Sequence, residues 1–291
     1  AAWADLDNDG DLDAVLANDG GRIRALRNDD GAFVELSLTG ANENNIAVVP
    51  GDFDGDGRVD LAVATEGGTS GNDYVLFNNG GFAFSQYFLT SSNPFGRGVT
   101  AGDFDGDGDL DLFFANSGVT NESWFKNNGN RTFASPVAFG SAGSSERAQA
   151  GDYDNDGDLD VVVTNIEGTD NRLFRNSGAG SFTLLDLPKG SGIRSRGVSW
   201  GDYDADGDLD LLIGNDFGES EYLVRNDTGV ANATPVPPGP AAPTIVFSYA
   251  RTGSTLTFGW LAGAYDGAAA TESLHYDIAV STYPLDLAPG A

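Results

Sequence analysis

A nine-residue acidic stretch, Asp152-Tyr153-Asp154-Asn155-Asp156-Gly157-Asp158-Leu159-Asp160, recurs in this chain five times with small changes. The five copies start between 47 and 51 residues apart, at Asp5, Asp52, Asp103, Asp152 and Asp202. A repeat of this period is typical of architectures in which one supersecondary unit cannot bury its apolar face alone and stacks on its neighbours. The period therefore predicts a row of similar units.

Within each copy, positions 1, 3, 5 and 9 are always Asp and position 6 is always Gly. The acidic positions are Asp5, Asp7, Asp9 and Asp13; Asp52, Asp54, Asp56 and Asp60; Asp103, Asp105, Asp107 and Asp111; Asp152, Asp154, Asp156 and Asp160; Asp202, Asp204, Asp206 and Asp210. Four carboxylates so close together repel one another unless a cation lies between them, and calcium takes about 6–8 oxygen ligands. The pattern predicts one calcium ion in each loop, about five in all. An acidic, solvated turn is the alternative, but five copies favour metal binding.

Position 7 is expected to offer its backbone carbonyl, because glycine at position 6 allows the turn that brings it round. The residues at position 7 are Asp11, Arg58, Asp109, Asp158 and Asp208, and a cationic Arg58 side chain cannot be a ligand. An EF-hand is excluded because it needs Glu at position 12. Position 12 is apolar here and lies in a strand-like run: Leu16, Val63, Phe114, Val163 and Ile213.

The pattern Gly-Asp-Phe/Tyr-Asp-x-Asp-Gly-Asp-Leu-Asp, followed by Leu- and Val-rich residues, resembles the FG-GAP/VCBS repeat family over roughly residues 1–230. Leu6 departs from Phe or Tyr at position 2, and Ala4 departs from the preceding Gly. The resemblance implies a β-propeller of the kind seen in integrin α subunits and many secreted bacterial proteins.

The predicted fold class is all-β, with about 50 residues and four strands in each blade. In the third repeat we expect strands at residues 97–101, 110–115, 123–126 and 132–139, with turns of Asn and Gly between the last two. A Phe follows this turn in the first four repeats and is expected to pack between blades: Phe33, Phe84, Phe133 and Phe182. The fifth repeat lacks a recognisable outer strand. Rings of five and of seven blades both stay open.

Two further segments follow the repeats. Residues 231–243 form a Pro-rich linker. Residues 244–291 are interpreted as a partial fibronectin type III or immunoglobulin-like module, with strands at 244–250, 254–260 and 274–281.

Composition limits the function classes. The formal charge is −29, and each calcium ion adds two positive charges, so five ions would leave about −19. This acidity argues against nucleic-acid binding, because phosphate contacts need patches of Lys and Arg. With no Cys, neither disulfides nor thiol chemistry are available. The chain has no Met and begins inside a repeat, so we expect a segment of a longer product.

No catalytic constellation is recognisable, so we predict that the chain is not an enzyme. Arg97 and Arg196 lie six residues before their loops, where they either line a channel or pair with nearby acids, the latter being favoured. Trp3 and Trp200 also occupy equivalent positions, and packing between blades is favoured over sugar stacking.

The sequence therefore favours a secreted, calcium-stabilised adhesion or binding module at the cell surface or outside the cell, where calcium is millimolar. Its partners would be an extracellular protein or glycan, or further copies of itself, with no nucleic acid and no direct membrane insertion. The alternatives are a structural subunit of a surface or filamentous assembly formed by strand donation and, least favoured, a glycan-active enzyme.

Overall fold

The computed structural model describes residues 1–38, 44–67, 72–89, 95–118, 121–140, 143–166, 170–187, 194–204, 206–216, 221–226, 247–252 and 255–260. All regular structure in these ranges is β-strand. Four antiparallel four-stranded sheets follow one another along the chain, and a three-stranded fifth sheet comes next. The prediction of an all-β fold built from repeated four-stranded sheets is confirmed.

The strands of each sheet are consecutive in sequence and pair in sequence order. Sheets 1 and 2 contain β1 (Ala2–Ala4), β2 (Asp13–Leu16), β3 (Arg24–Asp29), β4 (Ala32–Ser37), β5 (Asn45–Gly51), β6 (Asp60–Thr65), β7 (Tyr74–Asn78) and β8 (Phe84–Phe88). Sheets 3 and 4 contain β9 (Gly96–Gly102), β10 (Asp111–Asn116), β11 (Glu122–Phe125), β12 (Val137–Phe139), β13 (Ser145–Gly151), β14 (Asp160–Asn165), β15 (Arg172–Asn176) and β16 (Phe182–Asp186). Sheet 5 contains β17 (Ser195–Gly201), β18 (Asp210–Asn215) and β19 (Tyr222–Val224).

The second strand of each sheet is the apolar centre of its unit. Strands β6, β10 and β14 are buried at every residue, as expected for strands covered on both faces. The first strands of consecutive sheets contact one another, from β1 through β5, β9 and β13 to β17. Each acidic loop connects the first strand of its sheet to the second. Neighbouring loops touch, since Asn8 Nδ2 lies 3.3 Å from the carbonyl oxygen of Gly57 in the next loop.

Apolar clusters fill the spaces between consecutive sheets. Phe84, Phe133 and Phe182 lie in these clusters, as predicted. Phe33 is instead 51% exposed. It lies on the face of sheet 1 turned away from sheet 2, where no other sheet of the described chain covers it.

The outer strand of the third repeat is shorter than the predicted segment 132–139. Only Val137–Phe139 forms β12, and Phe133 makes an isolated bridge with Asn127. Pro136 interrupts the segment, because proline has no N–H to donate to a neighbouring strand.

The chain divides into two units, Ala1–Pro235 and Val236–Ala291. In the second unit, β20 (Phe247–Thr252) and β21 (Thr255–Trp260) form an antiparallel hairpin. These strands overlap the first two predicted for the C-terminal module. The predicted strand 274–281 and the whole linker 231–243 lie outside the described residues, so the fibronectin-like module stays a prediction.

Candidate metal centres

Each acidic loop gathers three carboxylates whose nearest oxygen atoms lie within 4.8 Å of one another. In the first four loops these are positions 1, 3 and 9, and in the fifth they are positions 1, 3 and 5. The groups are Asp5, Asp7 and Asp13; Asp52, Asp54 and Asp60; Asp103, Asp105 and Asp111; Asp152, Asp154 and Asp160; Asp202, Asp204 and Asp206. This spacing of oxygens could hold a metal ion. Asp9, Asp56, Asp107, Asp156 and Asp210 lie outside these groups.

Position 1 shapes the loop by accepting two backbone hydrogen bonds. Asp52 Oδ1 accepts from the N–H of Asp56 at 3.1 Å, and Asp52 Oδ2 accepts from the N–H of Gly57 at 2.8 Å. The other four copies repeat this pair within 0.3 Å. The turn is thus held by a side chain that also faces the acidic cluster. Gly57 has φ +83°, which explains the glycine at position 6.

Position 5 has a hydrogen bond of its own. Asp56 Oδ1 accepts from the N–H of Arg58 at position 7, at 3.0 Å, and all five loops share this contact. The side chains of position 7 point to other groups. Asp11 accepts from the N–H of Asp30 at 2.9 Å, and Asp208 accepts from Asn155 at 2.7 Å. That position 7 offers only its backbone carbonyl to the ion stays a prediction.

Position 9 is the buried anchor of each loop. Asp111 is fully buried and accepts from the N–H of Phe104 at 3.2 Å and from the N–H of Asn127 at 2.7 Å. Burial raises the pKa of Asp111 to about 7, and it raises the pKa values of Asp60 and Asp160 to about 6. A cation beside these carboxylates would favour the ionised form and oppose this shift.

Position 3 provides the observation that best fits a cation. One oxygen, Oδ1, is buried without a hydrogen-bond partner in four of the five loops, at Asp7, Asp105, Asp154 and Asp204. A buried acceptor left unpaired is costly. The same four residues belong to the three-carboxylate clusters, where calcium or a similar oxygen-seeking ion would satisfy such an oxygen. In the second loop, Asp54 Oδ1 instead accepts from Asp56 N–H at 3.1 Å.

The other oxygen of position 3 pairs with a basic side chain in four loops. Lys126 contacts Asp105 and Asp107 in the third loop. Arg175 and Arg225 pair in the same way in the fourth and fifth loops. In the second repeat the corresponding residue is the uncharged Phe77. There Arg131 from the next repeat pairs with Asp54 and Asp56 instead, and its guanidinium carbon lies 5.2 Å from the centroid of the Phe77 ring. Sequence reasoning missed these cations, although Lys126, Arg175 and Arg225 directly precede an Asn at the start of a turn.

That Asn is the second feature that sequence reasoning missed. The sequence pattern predicts it only as a turn residue, but positive φ falls on later turn residues such as Gly129 and Arg131. Asn127 is buried, and its amide donates to Leu110 O at 2.9 Å and to Phe53 O of the preceding loop at 2.8 Å. Asn78, Asn176 and Asn226 make the same pair of contacts. A side-chain amide therefore links each loop to the loop before it.

The arginines before the loops are engaged in ion pairs. Arg97 pairs with Glu66 at 2.6 Å and with Glu146 at 3.1 Å. Arg196 pairs with the same Glu146 at 3.2 Å and with Asp216. These alternating acidic and basic side chains run from sheet 2 to sheet 5. The structure therefore agrees with the favoured interpretation, in which Arg97 and Arg196 pair with nearby acids rather than line a channel. Trp200 packs on Tyr153 of the preceding sheet, whereas Trp3 is 61% exposed.

Solved structures of low similarity align with the chain. BBS1N in complex with ARL6DN is 12% identical, with 74% of this chain and 58% of that chain covered and a TM-score of 0.46. The V. cholerae biofilm matrix protein Bap1 is 19% identical, with 72% of this chain and 33% of that chain covered and a TM-score of 0.46. The Photorhabdus luminescens Tc holotoxin pore is 18% identical, with 78% of this chain and 11% of that chain covered and a TM-score of 0.42. The chain thus spans less than two thirds of each of these proteins. A search of curated proteins returns no match.

A family model described as an FG-GAP-like repeat matches four overlapping segments, 5–63, 52–114, 103–163 and 152–213. Each match begins at the first Asp of an acidic loop and ends in the second strand of the next sheet. Together the matches cover most of the chain and all five loop starts. The chain belongs to the FG-GAP-like repeat family.

Proposed function

We propose that this chain is a secreted, calcium-stabilised repeat module that binds an extracellular protein or glycan and has no catalytic role. The unpartnered position-3 oxygens, as at Asp105, are the observation that carries the calcium assignment, because their residues each belong to a group of three carboxylates in a preformed turn. Five equivalent sites suit a structural ion better than a catalytic one, since one reaction needs one centre. FG-GAP repeats often bind calcium and are typically extracellular.

The ion would act by removing repulsion among the carboxylates and tying the ends of the loop together. Each site at a calcium level of about 100 times its Kd would add about 2.7 kcal/mol to the free energy of unfolding.

In the described residues no helix is long and apolar enough to cross a membrane.

Calorimetric titration of the EDTA-treated, dialysed protein tests the metal assignment. We expect about five calcium ions per chain and a large fall in melting temperature when EDTA is added to the loaded protein. Magnesium is the matched control, because it demands a stricter octahedral shell and gives up water reluctantly. A melting temperature that stays the same in excess EDTA contradicts the proposal.

A binding screen against extracellular glycans and matrix proteins, in calcium and in EDTA, tests the partner class. Calcium-dependent binding without turnover supports the module, whereas degradation of a glycan would favour the enzyme alternative.

A structural subunit is the second candidate function, favoured by the fifth sheet. Within the described residues this sheet has three strands, so the outer edge of β19 carries no fourth strand there. An open edge is a template for a strand from another chain. A peptide with the sequence of β8 or β16, labelled and titrated against the protein, would bind the edge if strand donation operates.

A further inference from the structure

The second acidic loop differs from the other four in charge. It has Arg58 at position 7, where the other loops have Asp. Its nine residues hold four Asp and one Arg, a formal charge of −3, whereas each other loop holds five Asp, a formal charge of −5. Because the number of charged ligands sets much of the affinity of a site for calcium, the five loops are not equivalent as calcium sites.

Arg58 contacts an acidic side chain of its own loop. Its Nη2 pairs with Asp56 Oδ2, and its Nε donates to the carbonyl oxygen of Asn78 at 2.8 Å. The contact with Asn78 fixes the guanidinium group beside the loop. The carboxylate of Asp56 therefore has a positive charge of the protein's own against it.

Arg131 brings a second positive charge to the same loop from the next repeat. Its Nε pairs with Asp54 Oδ2, and its Nη2 lies 3.2 Å from Asp56 Oδ2. Its Nη1 donates to Asn79 Oδ1 at 3.2 Å, which holds the guanidinium group on the side of the loop. Two Asp residues of the second loop thus contact arginine, and Asp56 contacts both arginines.

The repeat explains why Arg131 reaches the preceding loop. Arg131 lies two residues before the Phe that follows the turn, and the equivalent residues of the second and fourth repeats are Phe82 and Gly180. Both of these also contact the preceding repeat. Phe82 packs against the cluster of sheets 1 and 2, and the N–H of Gly180 donates to Phe104 O at 2.9 Å. The fold therefore points this turn position at the preceding loop, and Arg131 places a charge there.

Position 3 shows what these charges do to the loop. In the other four loops one oxygen of this residue is buried without a hydrogen-bond partner, as at Asp105. In the second loop Asp54 Oδ1 accepts from the N–H of Asp56 at 3.1 Å, and Asp54 Oδ2 pairs with Arg131. The Asp54 side chain is only 4% exposed, so both of its oxygens are satisfied within the protein. An ion that binds Asp54 has to replace one of these contacts, whereas at Asp105 it meets an oxygen without a partner.

We propose that the second loop is the weakest of the five calcium sites and the last to fill, because Arg58 and Arg131 neutralise part of its charge. This order of filling rests on the calcium assignment proposed above. Guanidinium groups in contact with carboxylates stabilise the metal-free loop and repel a divalent cation. An ion in this loop competes with Arg131, a residue of the third repeat, so occupancy of this site acts on a contact between two repeats.

Equilibrium dialysis of the protein against a series of buffered free calcium concentrations, with the bound calcium counted by atomic emission, tests this order. We expect four ions to bind first and the fifth to need a calcium concentration about ten-fold higher or more. Asp54→Asn should remove the weak fifth step and keep the four tight ions. Asp154→Asn, the matched change in the fourth loop, should remove a tight ion and keep the weak one.

Removing the two positive charges tests their role directly. In the double variant Arg58→Gln with Arg131→Gln, the affinity for the fifth ion should rise about ten-fold, towards that of the other four. Arg131→Gln alone should raise it by a smaller factor. Arg24→Gln is the matched control, because Arg24 pairs with Glu35 at the end of sheet 1 remote from its loop and should leave all five steps unchanged. The melting temperature of each variant in saturating calcium checks that it is folded.

Five ions that bind with one common affinity would overturn this order and leave the calcium assignment intact. Loss of a tight ion in Asp54→Asn would do the same, because it would place the weak site in another loop. A fifth step that stays unchanged in a folded Arg131→Gln variant and in the double variant would show that the arginines do not set the affinity. A protein that binds no calcium at all would overturn the calcium assignment itself, and this proposal with it.

Discussion

At the scale of single residues, the third Asp position of each loop has two oxygens with different environments. In the third loop, Asp105 Oδ2 pairs with Lys126, whereas Asp105 Oδ1 is buried without a hydrogen-bond partner. The basic side chain offsets repulsion at one oxygen and leaves the other without a partner, available to an ion.

Replacing Asp154 by Asn should remove one calcium ion from the titration and leave the other four sites occupied. The change replaces a charged ligand in the cluster and leaves Arg175 without its main partner. Asp158→Asn is the matched control, because position 7 is expected to contribute only its carbonyl and should keep the full count. Equal loss of calcium in both variants would show that position 7 binds through its side chain.

Replacing Lys126 by Gln should change the stability of the metal-free protein and the calcium affinity of the third loop in opposite directions. Without the ammonium group, the metal-free third loop is more repulsive, so the melting temperature in EDTA should fall. The calcium affinity of that loop should increase a few-fold, because a nearby positive charge opposes a divalent ion. Melting in EDTA and calorimetric titration check the two effects, and a weaker calcium affinity would show instead that Lys126 organises the loop.

At the scale of elements, the buried Asn amides join neighbouring sheets. Asn176 donates to Leu159 O in its own sheet and to Phe104 O in the preceding loop. Its own N–H donates to Asp160 at 2.7 Å, so one residue ties together the loop, the hairpin and the neighbouring unit.

Replacing Asn176 by Ala should lower the free energy of unfolding by about 2–4 kcal/mol, because two buried carbonyl oxygens lose their donor. Asn28→Ala is the matched control. Among the described residues the side-chain amide of Asn28 donates only to Leu12 O, at 3.2 Å and at an exposed site, so the loss should be about 1 kcal/mol or less. Urea unfolding in calcium measures both, and equal losses would contradict the linking role of Asn176.

At the scale of the whole molecule, three buried position-9 carboxylates, those of Asp60, Asp111 and Asp160, couple stability to pH. Asp111 and Asp160 have pKa values of about 7 and about 6 in the metal-free fold, above the value of about 3.9 in an unfolded chain. Between these values the folded chain holds protons that the unfolded chain has released. Its stability therefore falls as pH rises through this window.

In EDTA, the protein should melt at a higher temperature at pH 5.5 than at pH 8. In saturating calcium the difference should shrink or reverse, since the ion binds the ionised carboxylates and binds better as pH rises. Repeating the melts in high salt weakens the general repulsion of a chain with net charge −29 and keeps the effect of burial. A metal-free protein that is more stable at pH 8 would contradict this coupling.

The sequence by itself determined the local features of this protein. Asp and Gly at fixed spacings predicted the acidic turns, because a turn of nine residues contains most of its own hydrogen bonds, as between Asp52 and Gly57. The apolar runs after each loop predicted the buried second strands, and the period predicted repeated sheets. All of these depend on neighbours along the chain.

Only the tertiary structure decided which residues meet across the repeat. The reach of Arg131 to Asp54, the donation from Asn176 to Phe104 O, and the sharing of Glu146 by Arg97 and Arg196 join residues about 50 to 77 positions apart. Phe33 and Phe84 follow similar turns, yet one is exposed and the other buried, because only Phe84 faces a preceding sheet in the described chain. Whether a residue is buried depends on the sheet that packs against it, and the sequence of a single repeat does not specify that neighbour.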